Sequence, residues 1–224
     1  MVKLSRSKLE LFLDCRRCFW LDMKKGVKRP PPAPYTINSA IDTLLKQEFD
    51  AHREDGTAHY LIKRYRIDAI PYKCDKINSW RHNFTGVQFN HKPTDFLVFG
   101  AVDDVWVDPA GELIVVDYKA TGANQYQIYP QYKRQMEVYQ WLLAQNGYKV
   151  SKTGYFLFAK VNKEGGFNSG KLSFDLFIEA QEGDISWVEN AILEAKKIFD
   201  GPIPQHNPAC AYCQFAALHS GYNT

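Results

Sequence analysis

Residues Phe99 to Thr121, FGAVDDVWVDPAGELIVVDYKAT, constrain this chain more than any other stretch, because the turn in their middle fixes how two strands must pair. Asp108-Pro109-Ala110-Gly111 has Asp, Pro and Gly at the first, second and fourth positions of a type I turn, the residues that geometry favours. Closed by Gly in the left-handed region, such a turn makes a three-residue hairpin loop with a bulge, which pairs Asp108 with Glu112. Counting outward, Val107 meets Leu113, Val105 meets Val115 and Asp103 meets Asp117. Side chains alternate with period two, so Lys119 shares the face of Asp117 while Asp104 points to the other side.

This register sets two carboxylates across from one another, with Cβ atoms roughly 5 Å apart. Two ionised carboxylates repel, so the pair requires a bound cation or a shared proton. The flanking residues Val102, Val105, Ile114, Val115 and Val116 leave little water to screen it. Mg²⁺ or Mn²⁺ suits oxygen ligands, and the Lys119 ammonium can hold a nucleophilic water and stabilise charge on a phosphate. Metal-assisted hydrolysis of a phosphodiester is the simplest chemistry for the set; the bland alternative is a surface hairpin whose charges solvate an edge.

Gly100-x-x-Asp103, then Asp117-Tyr118-Lys119, then Gln135-x-x-x-Tyr139 resemble, in order and spacing, the successive motifs of the PD-(D/E)XK nuclease superfamily. The resemblance is to its RecB-like branch, which includes CRISPR-associated exonucleases and the nuclease domain of AddB. It implies a restriction-endonuclease-like α/β fold, a mixed central sheet flanked by helices. It also implies that Asp103 and Asp117 hold the catalytic metal, aided by the Tyr118 carbonyl. Lys119 then positions the attacking water, while Gln135 and Tyr139 orient the strand. Where that family carries a metal-binding histidine at a helix start, this chain has Asp42, with Asn38 in place of the usual glycine. Asp42 is read either as a further metal ligand or as a first-turn residue facing the helix dipole.

At 224 residues, 45% hydrophobic and 24% charged, the chain fits one globular domain, 1–224, that can bury a real core. It has no apolar run of membrane-spanning length and no apolar stretch of a signal peptide in MVKLSRSKLELF, so a cytoplasmic location is expected. A net charge of +3 is too small to imply a nucleic-acid partner by itself, but nine Lys or Arg against three acids up to Arg29 could track a phosphate backbone or simply solvate a helix.

Ser7 and Glu10 read as a capping box opening a helix with Leu9, Phe12 and Leu13 on one face. Arg29 to Pro34 is a loop or linker, and a helix from Asn38 to about His52 is predicted to bury Ile41, Leu44, Leu45 and Phe49. Residues 53–95 read as partial strand with long loops. Gln131 to Asn146 is a helix stopped by Gly147, Thr153 to Val161 a central strand, Leu172 to Ile178 another, and Asp184 the cap of a helix to about Asp200.

Cys15-x-x-Cys18 and Cys210-x-x-Cys213 stand near opposite ends, which in a reducing compartment points to shared metal ligation rather than disulfides. Four thiolates can hold either tetrahedral Zn²⁺ or a [4Fe–4S] cluster, and sequence alone separates the two poorly. Cys74 reads as a lone buried thiol. The RecB-like resemblance, including Ser5-x-Ser7-x-Leu9 before Cys15-Arg16-Arg17, implies a [4Fe–4S] cluster clamping segments 1–30 and 202–224. Its usual one-plus-three cysteine arrangement is replaced here by two plus two, with His219 where the last cysteine would fall. The expected function is a Mg²⁺- or Mn²⁺-dependent deoxyribonuclease, an exonuclease with single-strand preference in DNA repair, recombination or CRISPR-adaptation-like processing. The alternative is a non-catalytic nucleic-acid-binding module on the same fold.

Overall fold

A computed structural model of the protein describes residues 1–31 and 36–220. In chain order the elements are β1 (Val2–Ser5), α1 (Arg6–Asp14), α2 (Arg16–Lys25), α3 (Thr36–Asp55), α4 (Tyr60–Arg64), β2 (Ile70–Pro71), α5 (Ile77–Arg81), β3 (Val87–His91), β4 (Phe96–Gly100), β5 (Asp104–Val107), β6 (Leu113–Thr121), α6 (Pro130–Gln145), β7 (Thr153–Val161), β8 (Phe174–Glu182), α7 (Ser186–Asp200) and α8 (Ala211–Ser220). Five strands form a mixed sheet in the order β2-β5-β6-β7-β8, and three form a second in the order β1-β4-β3. The fold is mixed α/β, as the sequence pattern implies. The chain divides into two compact units.

The larger unit, Pro34–Phe89 with Phe99–Ile185, contains the five-stranded sheet. Only the β6–β7 pair is parallel among these strands, and α6 makes the crossover that a parallel pair needs. On one face Trp106, Ile114, Val116 and Tyr118 pack with Leu45 and Phe49 of α3. The Phe49 and Trp106 rings stack at 5.6 Å, and Trp106 stacks on Tyr155 at 5.7 Å. The opposite face carries Val115, Asp117 and Lys119. This alternation delivers an acid and a base side by side on one face of β6.

The smaller unit, Met1–Ala33, Asn90–Val98 and Ser186–Thr224, packs α1 and α2 with α7. Phe12 and Phe19 meet edge to face at 5.5 Å, and Phe96 and Phe199 at 5.6 Å. Buried His91 is tied to Thr94 and to Glu189, each at 2.7 Å. Several N-terminal cations are engaged here. Lys8 pairs with Asp22, Arg29 with Asp14, Arg17 donates to the Pro204 carbonyl, and Lys24 lies over the Phe199 ring.

Several expectations are corrected. Ser5, not Ser7, caps α1, its hydroxyl accepting the Lys8 N–H at 3.2 Å. Leu44 is 63% exposed, because the α3 stripe uses Ile41, Leu45 and Phe49 at the strict four-residue spacing. The strand expected from Leu172 begins at Phe174, and the last long helix begins at Ser186, two residues after Asp184. Residues 53–95 hold two short helices besides their strands, and Cys74 is half-buried rather than buried. The last three residues of the expected linker, Pro32, Ala33 and Pro34, lie outside the described residues.

Candidate active site and cysteine cluster

The turn sets the hairpin register as its residues dictate. The Asp108 N–H donates to the Glu112 carbonyl at 3.1 Å, Gly111 lies at φ 77°, and the ladder pairs Val107 with Leu113, Val105 with Val115 and Asp104 with Val116. Asp103 sits one residue beyond the ladder, where its Oδ2 accepts the Tyr118 N–H at 3.0 Å. Asp117 is fully buried and ion-paired to Lys119. From α6, Gln135 Nε2 donates to Asp117 Oδ1 at 2.8 Å and to Tyr139 Oη at 3.0 Å, the two side chains sharing one helix face.

Asp42 lies beyond the first turn of α3, which removes the helix-dipole reading. Lys46, one turn on, places its Nζ 2.7 Å from Asp42 and 3.6 Å from Asp103. Burial, reinforced by the Asp103 charge, raises the Asp42 pKa. Asp42 and Asp103 share Lys46, Asp117 is bonded to Lys119 and to Gln135, which also holds Tyr139, and the Tyr118 main chain links the two halves of the cluster. Its three carboxylates face two ammonium groups, an excess of anionic oxygen that fits a hard divalent cation. They are spread more widely than the thiols described below: among the described residues, only the four cysteines form a set of three or more candidate ligands within 4.8 Å of one another.

Tyr118 splits its groups between the two faces. Its N–H serves Asp103, while its buried hydroxyl donates to Asp104 Oδ2 at 2.7 Å. Burial, then the Asp104 charge, pushes the Tyr118 pKa far up, so the hydroxyl keeps its proton. Asp104 is itself fully buried and paired with Arg53 and with Arg81, the latter at 3.0 Å. Arg81 also grips Asp50 at 2.8 Å and donates from Nε to the Asp103 carbonyl at 2.9 Å. Burial alone would lower the Arg81 pKa, but Asp104 and Asp50 outweigh it and hold the guanidinium charged. This network under the hairpin clamps the backbone that presents Asp103. Sequence reasoning missed Asp50, Arg53 and Arg81, which share no motif. The available signal was Asp104 itself, since a carboxylate turned into an apolar face must find a cation.

In the smaller unit the two cysteine pairs converge. Cys15 Sγ lies 3.7 Å from Cys213 Sγ, and Cys18 Sγ lies 3.7 Å from Cys210 and 4.0 Å from Cys213. All four are buried. Cys15 is the N-cap of α2 and its sulfur accepts the Cys18 N–H, while Cys210 immediately precedes α8. Arg29 donates to Cys210 Sγ at 3.2 Å and covers the Tyr212 ring at 4.5 Å. Burial raises the Cys15 thiol, but the Cys18 N–H and its sulfur neighbours more than offset this and bring it to about 7, whereas burial drives Cys18 to about 12. His219 is exposed, packs on Phe215 at 4.3 Å, and is not a member of the quartet.

Among the described residues no helix is long and apolar enough to cross a membrane. Among solved structures, the chain is similar to one titled SSO0001, at 12% identity and a TM-score of 0.46 over 100% of this chain and 88% of that one. It is also similar to an alkaline exonuclease from Laribacter hongkongensis, at 10% identity and a TM-score of 0.46 over 99% and 95%. That exonuclease in complex with dAMP gives 11% identity and a TM-score of 0.42 over the same shares. No curated protein matches. A family model described as the PD-(D/E)XK nuclease superfamily matches residues 23–218, nearly the whole chain, and the chain belongs to that superfamily.

Proposed function

We propose that the protein is a divalent-cation-dependent deoxyribonuclease of RecB-like type, acting from ends and preferring single strands. The observation that carries this is buried Asp117 held between Lys119 and Gln135 with Asp103 alongside, the superfamily's motif residues in one cluster. Asp103, Asp117, Asp42 and the Tyr118 carbonyl would hold Mg²⁺ or Mn²⁺. When bound, such an ion polarises the phosphate and lowers the pKa of water. Lys119 orients the attacking water and offsets charge building on the phosphate; water oxygen bonds to phosphorus, the bond to the leaving oxygen breaks, and that oxygen takes a proton. Gln135 fixes the Asp117 carboxylate and is itself fixed against Tyr139.

Purified protein with Mn²⁺ should degrade linear single-stranded DNA faster than duplex and leave circular single strands intact. Lys119→Ala should slow it by roughly 100-fold or more, the order expected for losing one charge-stabilising donor. Binding without a cation, undiminished by Asp103→Ala and unaccompanied by cleavage, would instead identify a nucleic-acid-binding module.

The cysteine quartet we read as a structural metal clamp joining 1–30 to 202–224 within one nuclease domain. With Zn–S of about 2.3 Å, sulfurs at the corners of a tetrahedron around one Zn²⁺ lie about 3.8 Å apart. The separations of 3.7, 3.7 and 4.0 Å suit that single ion. A [4Fe–4S] cluster, which puts each thiolate on a different iron, would need the sulfurs further apart, so the spacing supports the zinc reading. Anaerobically purified protein should be colourless and contain one zinc per chain; a brown sample containing iron and sulfide would reverse the assignment.

A further inference from the structure

We infer that the cleft beside Lys119 in the larger unit is a subsite for one unpaired nucleobase of the strand being cut, an identity that rests on the nuclease reading. The cleft encloses about 450 Å³ and is lined by Lys119, Tyr126, Tyr129, Tyr132, Phe158 and Asn38, among others. Its aromatic walls are held in different ways. Tyr126 is anchored at both ends: its ring stacks on Phe158 at 4.6 Å, and its hydroxyl donates to Glu179 at 2.7 Å. Tyr132 stands at the inner end, with the Lys119 ammonium 4.6 Å from its ring centre. Tyr129, the N-cap of α6, meets Tyr132 edge to face at 5.3 Å and is 42% exposed at the rim.

Three features select the ligand. The cleft is lined by Lys119, so it lies within reach of a nucleotide whose phosphate sits at Asp117 and Lys119. Its walls offer ring faces, and every nucleobase has a face to stack on them, which makes the subsite tolerant of sequence. A base can use those faces only after leaving its own stack, in a single strand or flipped from a duplex end. The subsite thereby supplies a physical basis for preferring unpaired DNA, because a paired base would first have to be extruded.

Tyr129 is the residue to test, since Tyr132 also supports Lys119 and Tyr126 is part of the packed wall. Binding is measured by fluorescence anisotropy in EDTA, with the full chain, using an oligothymidylate and an abasic oligomer of equal length and charge. The parent should favour the thymidine strand. Tyr129→Ala should weaken that strand by roughly 5- to 100-fold, the range of one lost stacking contact, and leave the abasic strand and the salt dependence unchanged. Tyr129→Trp should restore the preference. Equal binding of both strands by the parent, binding of neither, or equal weakening of both by Tyr129→Ala overturns the subsite. Because no cation is present, the outcome is independent of hydrolysis: a parent that shows the preference yet never cleaves with Mn²⁺ would defeat the catalytic reading and leave the subsite standing.

Discussion

Asp42 contributes a charge that the folded chain holds at a cost. Its raised pKa, caused by burial and then by Asp103, means that the folded state binds this proton more tightly than the unfolded chain does. The associated stability is present below the ordinary carboxylate range and is lost as pH rises through the raised value. In EDTA at pH 7.5, Asp42→Asn should therefore melt higher than the parent, and the difference should shrink toward pH 4 in thermal denaturation scans. The same variant should lose nuclease activity with Mn²⁺. Tyr118→Phe tests the other face: removing a hydrogen bond to buried Asp104 should cost about 1.5–3 kcal/mol in urea unfolding with little change in cleavage rate, since the Tyr118 main chain is untouched. Asp103, Asp117 and Lys119 were legible because a turn read from four residues propagates along both strands. Asp104 was legible only as facing away, because its partners Arg53 and Arg81 come from segments whose positions no local pattern encodes.

At the scale of elements, α5 matters out of proportion to its length. Through Arg81 it holds Asp50, Asp104 and the Asp103 carbonyl, so Arg81→Leu should lower unfolding stability by about 3 kcal/mol, as expected when a buried ion pair loses one partner, and should slow cleavage as Asp103 loses its support. Gly86 is a second constraint. It lies at φ 60°, and a Cβ there would stand 2.3 Å from the Gly100 carbonyl oxygen, so Gly86→Ala should destabilise the fold by more than about 1 kcal/mol in the same measurement. Long elements with clear periodicity, α6 and β7 above all, were readable almost to the residue. The short ones between 53 and 95 were not: a helix of five residues, such as α4 or α5, is formed by tertiary packing rather than by its own propensity. β1 is only four residues long, and α8 is apolar on several sides rather than along one buried stripe, so neither announces itself.

For the whole molecule, the testable property is dependence on the cysteine quartet. Cys213→Ser should lower the melting temperature by roughly 2–4 °C for each kcal/mol of metal binding forfeited, and a strong chelator should do the same to the parent. That the two pairs belong together was legible from spacing alone, but their sulfur separations were not, because those depend on the packing of segments far apart in the sequence. The smaller unit gathers the first thirty-odd residues, a short middle segment and the last stretch of the chain. Cys18 and Cys210 are 192 positions apart in the chain. At translation rates of about 5–20 residues per second, the first pair waits roughly 10–40 s on the ribosome for its counterpart. An ion that needs all four thiolates can be captured only after Cys210 and Cys213 have been made, so nascent fragments that stop short of Cys210 would be incomplete chelators, open to quality control.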